Sequence, residues 1–346
     1  MLVDFDALSA NEHRNWTIAV TNPTCLAPRY ERCMVPLSDG GGGQMEWREL
    51  DLASKAFVRN GFVFRGDVSA YAIWKDRDTL YVNQTGSPGD GHGGLWTISR
   101  GKPWSEAHKV YQGTSPRVFI GELQIGDRSV VQISDGGTQS LLTTSGRILR
   151  LTLPESAQIV GYVQDHWIAL LSADWRTGDK LWLGGSVVAI ANSEIESPTP
   201  NVETVIAPMP WQMVDSLQQS ASGFYAVIYD NVRAGLYRLD RVDGKWTQHK
   251  VPLPDLGRID LLAPDPCSAD LLFQYQSYLT APNIYTINGL VAKVVSQEKQ
   301  SFDARPFVVD QFQAFGRRNR NPIFCRTCPQ RRIRRNGQDA DGGIRR

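Results

Sequence analysis

No stretch of this sequence is apolar for long enough to span a bilayer as a helix, which takes about twenty residues. Met1-Leu2-Val3-Asp4 opens directly in strand-like sequence, without the charged and apolar regions of a secretory leader. Cysteine is scarce: five residues in 346, an odd number spread too widely for a disulfide framework. Cys25 and Cys33 are near enough to pair, but free thiols in a reducing cytoplasm are the expectation. Histidine is equally scarce, and His13, His92, His108, His166 and His249 have no spacing that chelates a metal or serves a nucleophile. The Gly-x-Ser-x-Gly elbow of a serine hydrolase occurs nowhere. Gly184-Gly185-Ser186-Val187 comes closest, lacks the final Gly and reads as a hairpin turn. No segment of ten or more residues has a convincing 3.6-residue period, and only Asp4 to Arg14 fits a short helix. These absences predict no catalytic residue, no cofactor site and no metal site in the chain.

What remains is rich in turns and short strands. With 31 Gly, 19 Pro and 41% apolar residues, the composition is that of a turn-rich globular protein. After Trp16 the sequence falls into similar units of 35 to 50 residues, the period of propeller blades. They run from Cys25 to Val58, Phe62 to Tyr111, Arg117 to Leu153, Gln158 to Ile206, Gln212 to Pro252 and Gly257 to about Val295. In the second unit, Tyr71-Ala72-Ile73-Trp74 and Thr79-Leu80-Tyr81-Val82 flank the turn Lys75-Asp76-Arg77-Asp78. In the fifth, Asp243-Gly244 precedes Lys245-Trp246-Thr247 as a hairpin signal. A single sandwich needs fewer strands than these units supply, so the expected fold is an all-β propeller.

The stretch from Phe273 to Ala314 is more specific. Ser277-Tyr278-Leu279-Thr280-Ala281-Pro282-Asn283-Ile284-Tyr285, then Phe302-Asp303 and Val309-Asp310-Gln311, resembles the last blade and exit strand of the prolyl oligopeptidase family of serine peptidases. Leu2-Val3-Asp4-Phe5-Asp6-Ala7-Leu8 is similar to the family's Leu-Leu-Asp-x-Asn-x-Leu segment, which closes its first blade. The resemblance implies a seven-bladed propeller, here six complete blades plus part of the first, over residues 1–314. It also implies an α/β-hydrolase domain with a Ser-Asp-His triad beginning after Ala314, and that domain is not there. The implied activity is cleavage of short peptides, often after proline, by a cytoplasmic monomer without cofactor. The propeller would gate the substrate and would be inactive alone.

Of the 37 basic and 36 acidic residues, ten Arg and two Asp fall in 315–346, which leaves 27 basic against 34 acidic residues in the body. Such a split marks a tail foreign to the fold, expected to be disordered because it has few apolar residues. Cys325-Arg326-Thr327-Cys328 is half a zinc site at best. The arginines have no recognisable nucleic-acid module beside them, so no nucleic-acid or membrane partner is expected. Read one nucleotide later, the codons allowed for Phe315 to Cys328 permit Ser-Ala-Asp-Gly-Thr-Glu-Ile-Pro-Tyr-Phe-Val-Val-Arg. That run is similar to the segment that opens the family's hydrolase domain, so 315–346 is read as a frame-shifted tail. Arg65, Asp67, Lys75, Asp76, Arg77 and Asp78 form a charged cluster in the sequence that reads as a solvated blade rim. Two other readings compete: a free-standing propeller that binds a protein or glycan partner, and a propeller enzyme with glycan-cleaving rim carboxylates.

Overall fold

The computed structural model describes residues 3–19, 23–67, 70–85, 93–115, 118–125, 128–143, 145–221, 223–254, 256–262, 268–315 and 320–327. Its strands form six successive antiparallel sheets of four or more strands. In the first sheet, Trp16–Ile18 and Thr24–Cys25 pair along one side of Arg32–Asp39, which pairs with Gln44–Asp51. Ala56–Phe57 and Val63–Asp67 complete it, so its first and last strands are each interrupted. The second sheet is Tyr71–Asp76, Thr79–Thr85, Gly93–Ser99 and His108–Gln112. The third is Phe119–Ile125, Arg128–Asp135, Thr138–Leu142 and Ile148–Leu151.

The fourth sheet is Ala157–Val163, His166–Leu171, Val187–Ala191 and Val202–Ile206, with a hairpin of Trp175–Thr177 and Lys180–Trp182 between its second and third strands. The fifth is Gln212–Ser220, Gly223–Asp230, Arg233–Val242 and Lys245–Lys250. The sixth is Gly257–Leu261, Leu271–Ser277, Asn283–Asn288 and Val291–Gln297. The Asp243-Gly244 turn has φ of 49° and 76°, the two positive values that a tight hairpin turn needs.

Period-two alternation sends neighbouring residues of one strand to different sheets. In the fourth sheet Ile168, Val187 and Ala189 pack toward Phe224 and Ile228 of the fifth, while Ala169, Leu171 and Val188 pack toward Leu141 and Leu151 of the third. Equivalent layers join the first and second sheets (Met34, Trp47, Phe64, Trp74), the second and third (Ile73, Leu95, Val131, Ile133) and the fifth and sixth (Tyr225, Leu236, Phe273, Tyr275). Burying one such side chain is worth about 1.5–3 kcal/mol. The first strands of the second to sixth sheets lie against one another in succession. That arrangement of stacked sheets with their first strands innermost is a β-propeller, as expected. Among the described residues no apolar cluster joins the sixth sheet to the first.

Phe5–Glu12 is helix α1, inside the Asp4 to Arg14 stretch expected to hold one, and is capped by the Asp4 carboxylate on the Ala7 N–H at 2.9 Å. Phe5 and Leu8, three residues apart on the helix, pack on the first sheet's cluster around Trp16 and Leu37. Three expectations change. Val63–Asp67 belongs to the first sheet, not the second, because its register with Gln44–Arg48 stacks Phe64 on Trp47 at 5.9 Å. Cys25 and Cys33 form a disulfide rather than free thiols, since they face each other across paired strands. Closing so short a loop stabilises the chain by about 2–3 kcal/mol. The tail is not disordered throughout: Arg320–Thr327 pairs with Val308–Phe315, and a main-chain ladder makes no demand for apolar side chains. Residues 316–319 and 328–346 lie outside the described residues.

Candidate functional site

Strand direction alternates within each sheet, so the connections sort onto two rims. One rim carries the first-to-second and third-to-fourth turns. The other carries the second-to-third turns and every sheet-to-sheet linker. The first rim is charged and satisfied by its own pairs: Arg100 with Asp78 at 3.0 Å, Lys102 with Glu106 at 2.9 Å, and Arg147 with Glu196 at 2.7 Å. The second rim carries the fourth sheet's hairpin, the linker ahead of Gln212 and Tyr278.

Between the rims the innermost strands form a wall. A cavity of about 530 Å³ opens there along the first strands of the third, fourth and fifth sheets. Its polar lining is Glu122, Gln132, Ser134, Gln139, Glu155 and Gln158. Gln139 is held rigid: its amide donates to the carbonyls of Pro154 (2.7 Å) and Ala157 (2.5 Å) and accepts from Gln132 at 3.1 Å. Burial pushes the Glu122 carboxyl above its ordinary value, against the hydrogen bond from Ser129. The Tyr71 hydroxyl on the neighbouring first strand is pushed up to about 12, by burial first and then by the Glu122 charge. Besides these carboxyl and amide groups, the polar lining includes the Ser134 hydroxyl.

The second-to-third sheet linker is tied down beside this wall. Asp135, 7% exposed, accepts from the Tyr111 hydroxyl (2.7 Å), the Thr114 N–H (2.7 Å) and hydroxyl (2.9 Å), and the Ser115 N–H (2.9 Å). Burial alone would raise this carboxyl, but those four bonds outweigh it and hold the group at about 2. The folded value lies below the unfolded one of about 3.9. The stabilisation is therefore complete above the unfolded value and is lost as pH falls through about 2, for a total of about 2 kcal/mol. Asp135→Asn is expected to lower stability by about that amount at neutral pH, and by less than half of it near pH 2.5. Denaturant unfolding of both proteins at the two pH values checks this, and an equal gap at both would contradict it.

The residues singled out in the sequence do not converge. Ser186 sits in the turn ahead of Val187–Ala191, its N–H donating to the Leu183 carbonyl at 3.2 Å. His166 has Nδ1 on the Gln164 carbonyl at 2.7 Å and Nε2 at 3.5 Å from Glu203, while His249 meets the Thr247 hydroxyl at 3.3 Å. His13 ends α1 with φ of 52°, His108 lies in the last strand of the second sheet, and His92 lies outside the described residues. The charged cluster divides between two sheets: Arg65 pairs with Glu46 in the first at 2.8 Å, and Asp78 pairs with Arg100 in the second. Cys325 is in the strand Arg320–Thr327 and Cys328 lies outside the described residues. Among the described residues no group of His, Cys, Asp or Glu is arranged to hold a metal ion. Sequence reasoning missed the wall residues Glu122 and Gln139, because a polar residue in an alternating strand reads as solvent-facing.

Residues 3–296 match the family described as prolyl oligopeptidase, N-terminal beta-propeller domain. The chain is 27% identical over 337 residues to an uncharacterized peptidase of Sinorhizobium fredii, covering 90% of this chain and 46% of that protein. It is 22% identical over 356 residues to an uncharacterized peptidase of Rickettsia prowazekii, with 91% and 47% covered. Among solved structures, a post-proline cleaving enzyme from Rickettsia typhi superposes with a TM-score of 0.80 at 20% identity, over 96% of this chain and 52% of that one. The chain thus spans about half the length of the relatives it matches.

Proposed function

We propose, for a chain that belongs to the prolyl oligopeptidase family through its N-terminal β-propeller domain, that it is the substrate-admitting part of a serine endopeptidase acting on short peptides. On this reading the propeller selects by size and carries none of the chemistry. A channel along the propeller's inner strands passes an extended peptide and stops a folded protein that is wider than its opening. The observation that carries the reading is the wall itself, with Gln139 locked and Glu122 and Gln158 facing the cavity, and no serine–imidazole pair among the described residues. The half of the relatives' length not spanned here would supply the serine nucleophile. The stretch from Phe315 is taken as a frame-shifted form of the segment leading into that half, which the downstream coding DNA tests.

The functional test mixes the full chain with the separately expressed second half of the Sinorhizobium fredii peptidase. The mixture is expected to cleave a short proline-containing peptide and to spare the same sequence inside a folded protein. Cleavage of the folded protein as fast as by the second half alone would overturn the reading.

A further inference from the structure

We infer that the cleft between the first and second sheets, at the outer perimeter of the propeller, is a binding site for a small aromatic carboxylate. The cleft lies at the last strand of the first sheet, not along the first strands, so its occupation is independent of gating. It measures about 530 Å³, within the roughly 300–1,000 Å³ of pockets that hold small molecules. One side is Asn60 to Phe64, which leads into the strand Val63–Asp67. The other is Ile98 with the turn Gly101-Lys102-Pro103 of the second sheet.

The floor is flat and aromatic because the core layer joining the two sheets reaches the surface here. Phe62, Phe64 and Ile98 are buried members of that layer. Phe64 stacks on Trp47 at 5.9 Å and on Trp104 at 6.3 Å, and Trp96 continues the row 6.2 Å from Trp104. Trp104, 37% exposed and next to Pro103, carries this row out to solvent. A planar apolar body laid into the cleft extends the stack, the arrangement that aromatic rings favour. The shape is set in advance: the Phe62 N–H donates to the Glu49 carboxylate at 2.9 Å, the Lys102 N–H to the Ser99 carbonyl at 3.1 Å, and the Glu106 N–H to the Pro103 carbonyl at 3.0 Å. A pre-ordered site loses little conformational entropy on binding.

The lip selects the polar end of the ligand. The polar side chains of the lining are Asn60 and Lys102, and no carboxylate lines the cleft. The Asn60 amide has no hydrogen-bond partner among the described residues. The Lys102 ammonium meets Glu106 at 2.9 Å, but both side chains are about half exposed, and such a surface pair is weak. A ligand carboxylate takes the place of Glu106 on the ammonium and accepts from Asn60, while Glu106 turns to water. The Arg100 guanidinium, 4.5 Å over the Phe62 ring, is already neutralised by Glu49 and Asp78, which leaves Lys102 as the cation that answers to the ligand. The ligand touches both sheets, so its binding fastens the first to the second.

The test uses 2-naphthoate and the full chain labelled with 5-fluorotryptophan, read by fluorine NMR. Loss of one resonance in Trp104→Phe identifies Trp104 among the ten tryptophans. Naphthoate is expected to shift the Trp104 resonance saturably and to leave those of Trp211 and Trp246 in place. At low salt it is expected to bind about threefold more tightly than the uncharged 2-naphthylmethanol. Lys102→Gln, a change at an exposed side chain, should erase that difference and keep the binding of the alcohol. The thermal midpoint of the unlabelled chain should rise with naphthoate concentration. An unmoved Trp104 resonance, a shift confined to Trp211, or a preference for the carboxylate that survives in Lys102→Gln would overturn the inference.

Discussion

Incubated with a proline-containing chromogenic peptide, the purified chain is expected to release product no faster than buffer does. Peptide hydrolysis by a serine enzyme needs rate enhancements of at least about a million-fold. That enhancement comes from a serine beside an imidazole and from donors aimed at the developing oxyanion, each donor worth about a hundred-fold or more. Ser186 is 6% exposed in a hairpin turn, and the imidazoles of His166 and His249 are committed to Gln164, Glu203 and Thr247. Nothing in the described wall replaces this machinery, because the Glu122 carboxyl meets the Ser129 hydroxyl with no imidazole between them. Turnover that disappears in a single Ser→Ala variant, Ser186→Ala first, would place a nucleophile in the propeller and contradict the account.

Arg100→Ala is expected to lower stability by about 3–5 kcal/mol, because it leaves a buried carboxylate without its main partner. Glu49 of the first sheet is 2% exposed, and Arg100 of the second grips it with two bonds of 2.6 and 3.1 Å. The same guanidinium donates to Asp78 at 3.0 Å and to the Arg77 carbonyl at 2.6 Å, and lies 4.5 Å over the Phe62 ring. Glu49 keeps only the Phe62 N–H at 2.9 Å and the longer approach of Arg32 at 3.6 Å when Arg100 is lost. Folded domains have only about 5–15 kcal/mol in hand, so the variant approaches unfolding. Replacing both partners, Arg100→Ala with Glu49→Leu, removes the stranded charge and should recover a large part of the loss. Denaturant midpoints of the two variants decide. Equal midpoints would show that the cost was packing against Phe62 rather than charge.

The propeller was legible because its information is local and repeated. Hairpin turns such as Asp243-Gly244 and short apolar strand runs such as Phe224 to Ile228 recur from unit to unit, and no long helix pattern competes. What was not legible depends on register. Phe62 to Asp67 alternates equally well beside either neighbour, and only the pairing of Trp47 with Phe64 assigns it to the first sheet. The disulfide needs Cys25 opposite Cys33, a fact about two strands rather than about spacing. Arg320–Thr327 reads as disordered from its charge, yet its backbone pairs with Val308–Phe315. The wall cavity was hidden for the same reason: Glu122, Gln132 and Gln139 lie on three successive strands of one sheet, and register alone brings them together. Candidate residues scattered through the sequence stayed scattered in space among the described residues.

On the proposed reading the chain admits peptides and has no activated serine. A fluorophosphonate, which phosphonylates an activated serine hydroxyl and spares ordinary ones, tests it most directly. Intact mass spectrometry of the treated chain is expected to show the unmodified mass. A single phosphonyl adduct on a serine between residues 1 and 314, lost on prior denaturation, would contradict the account.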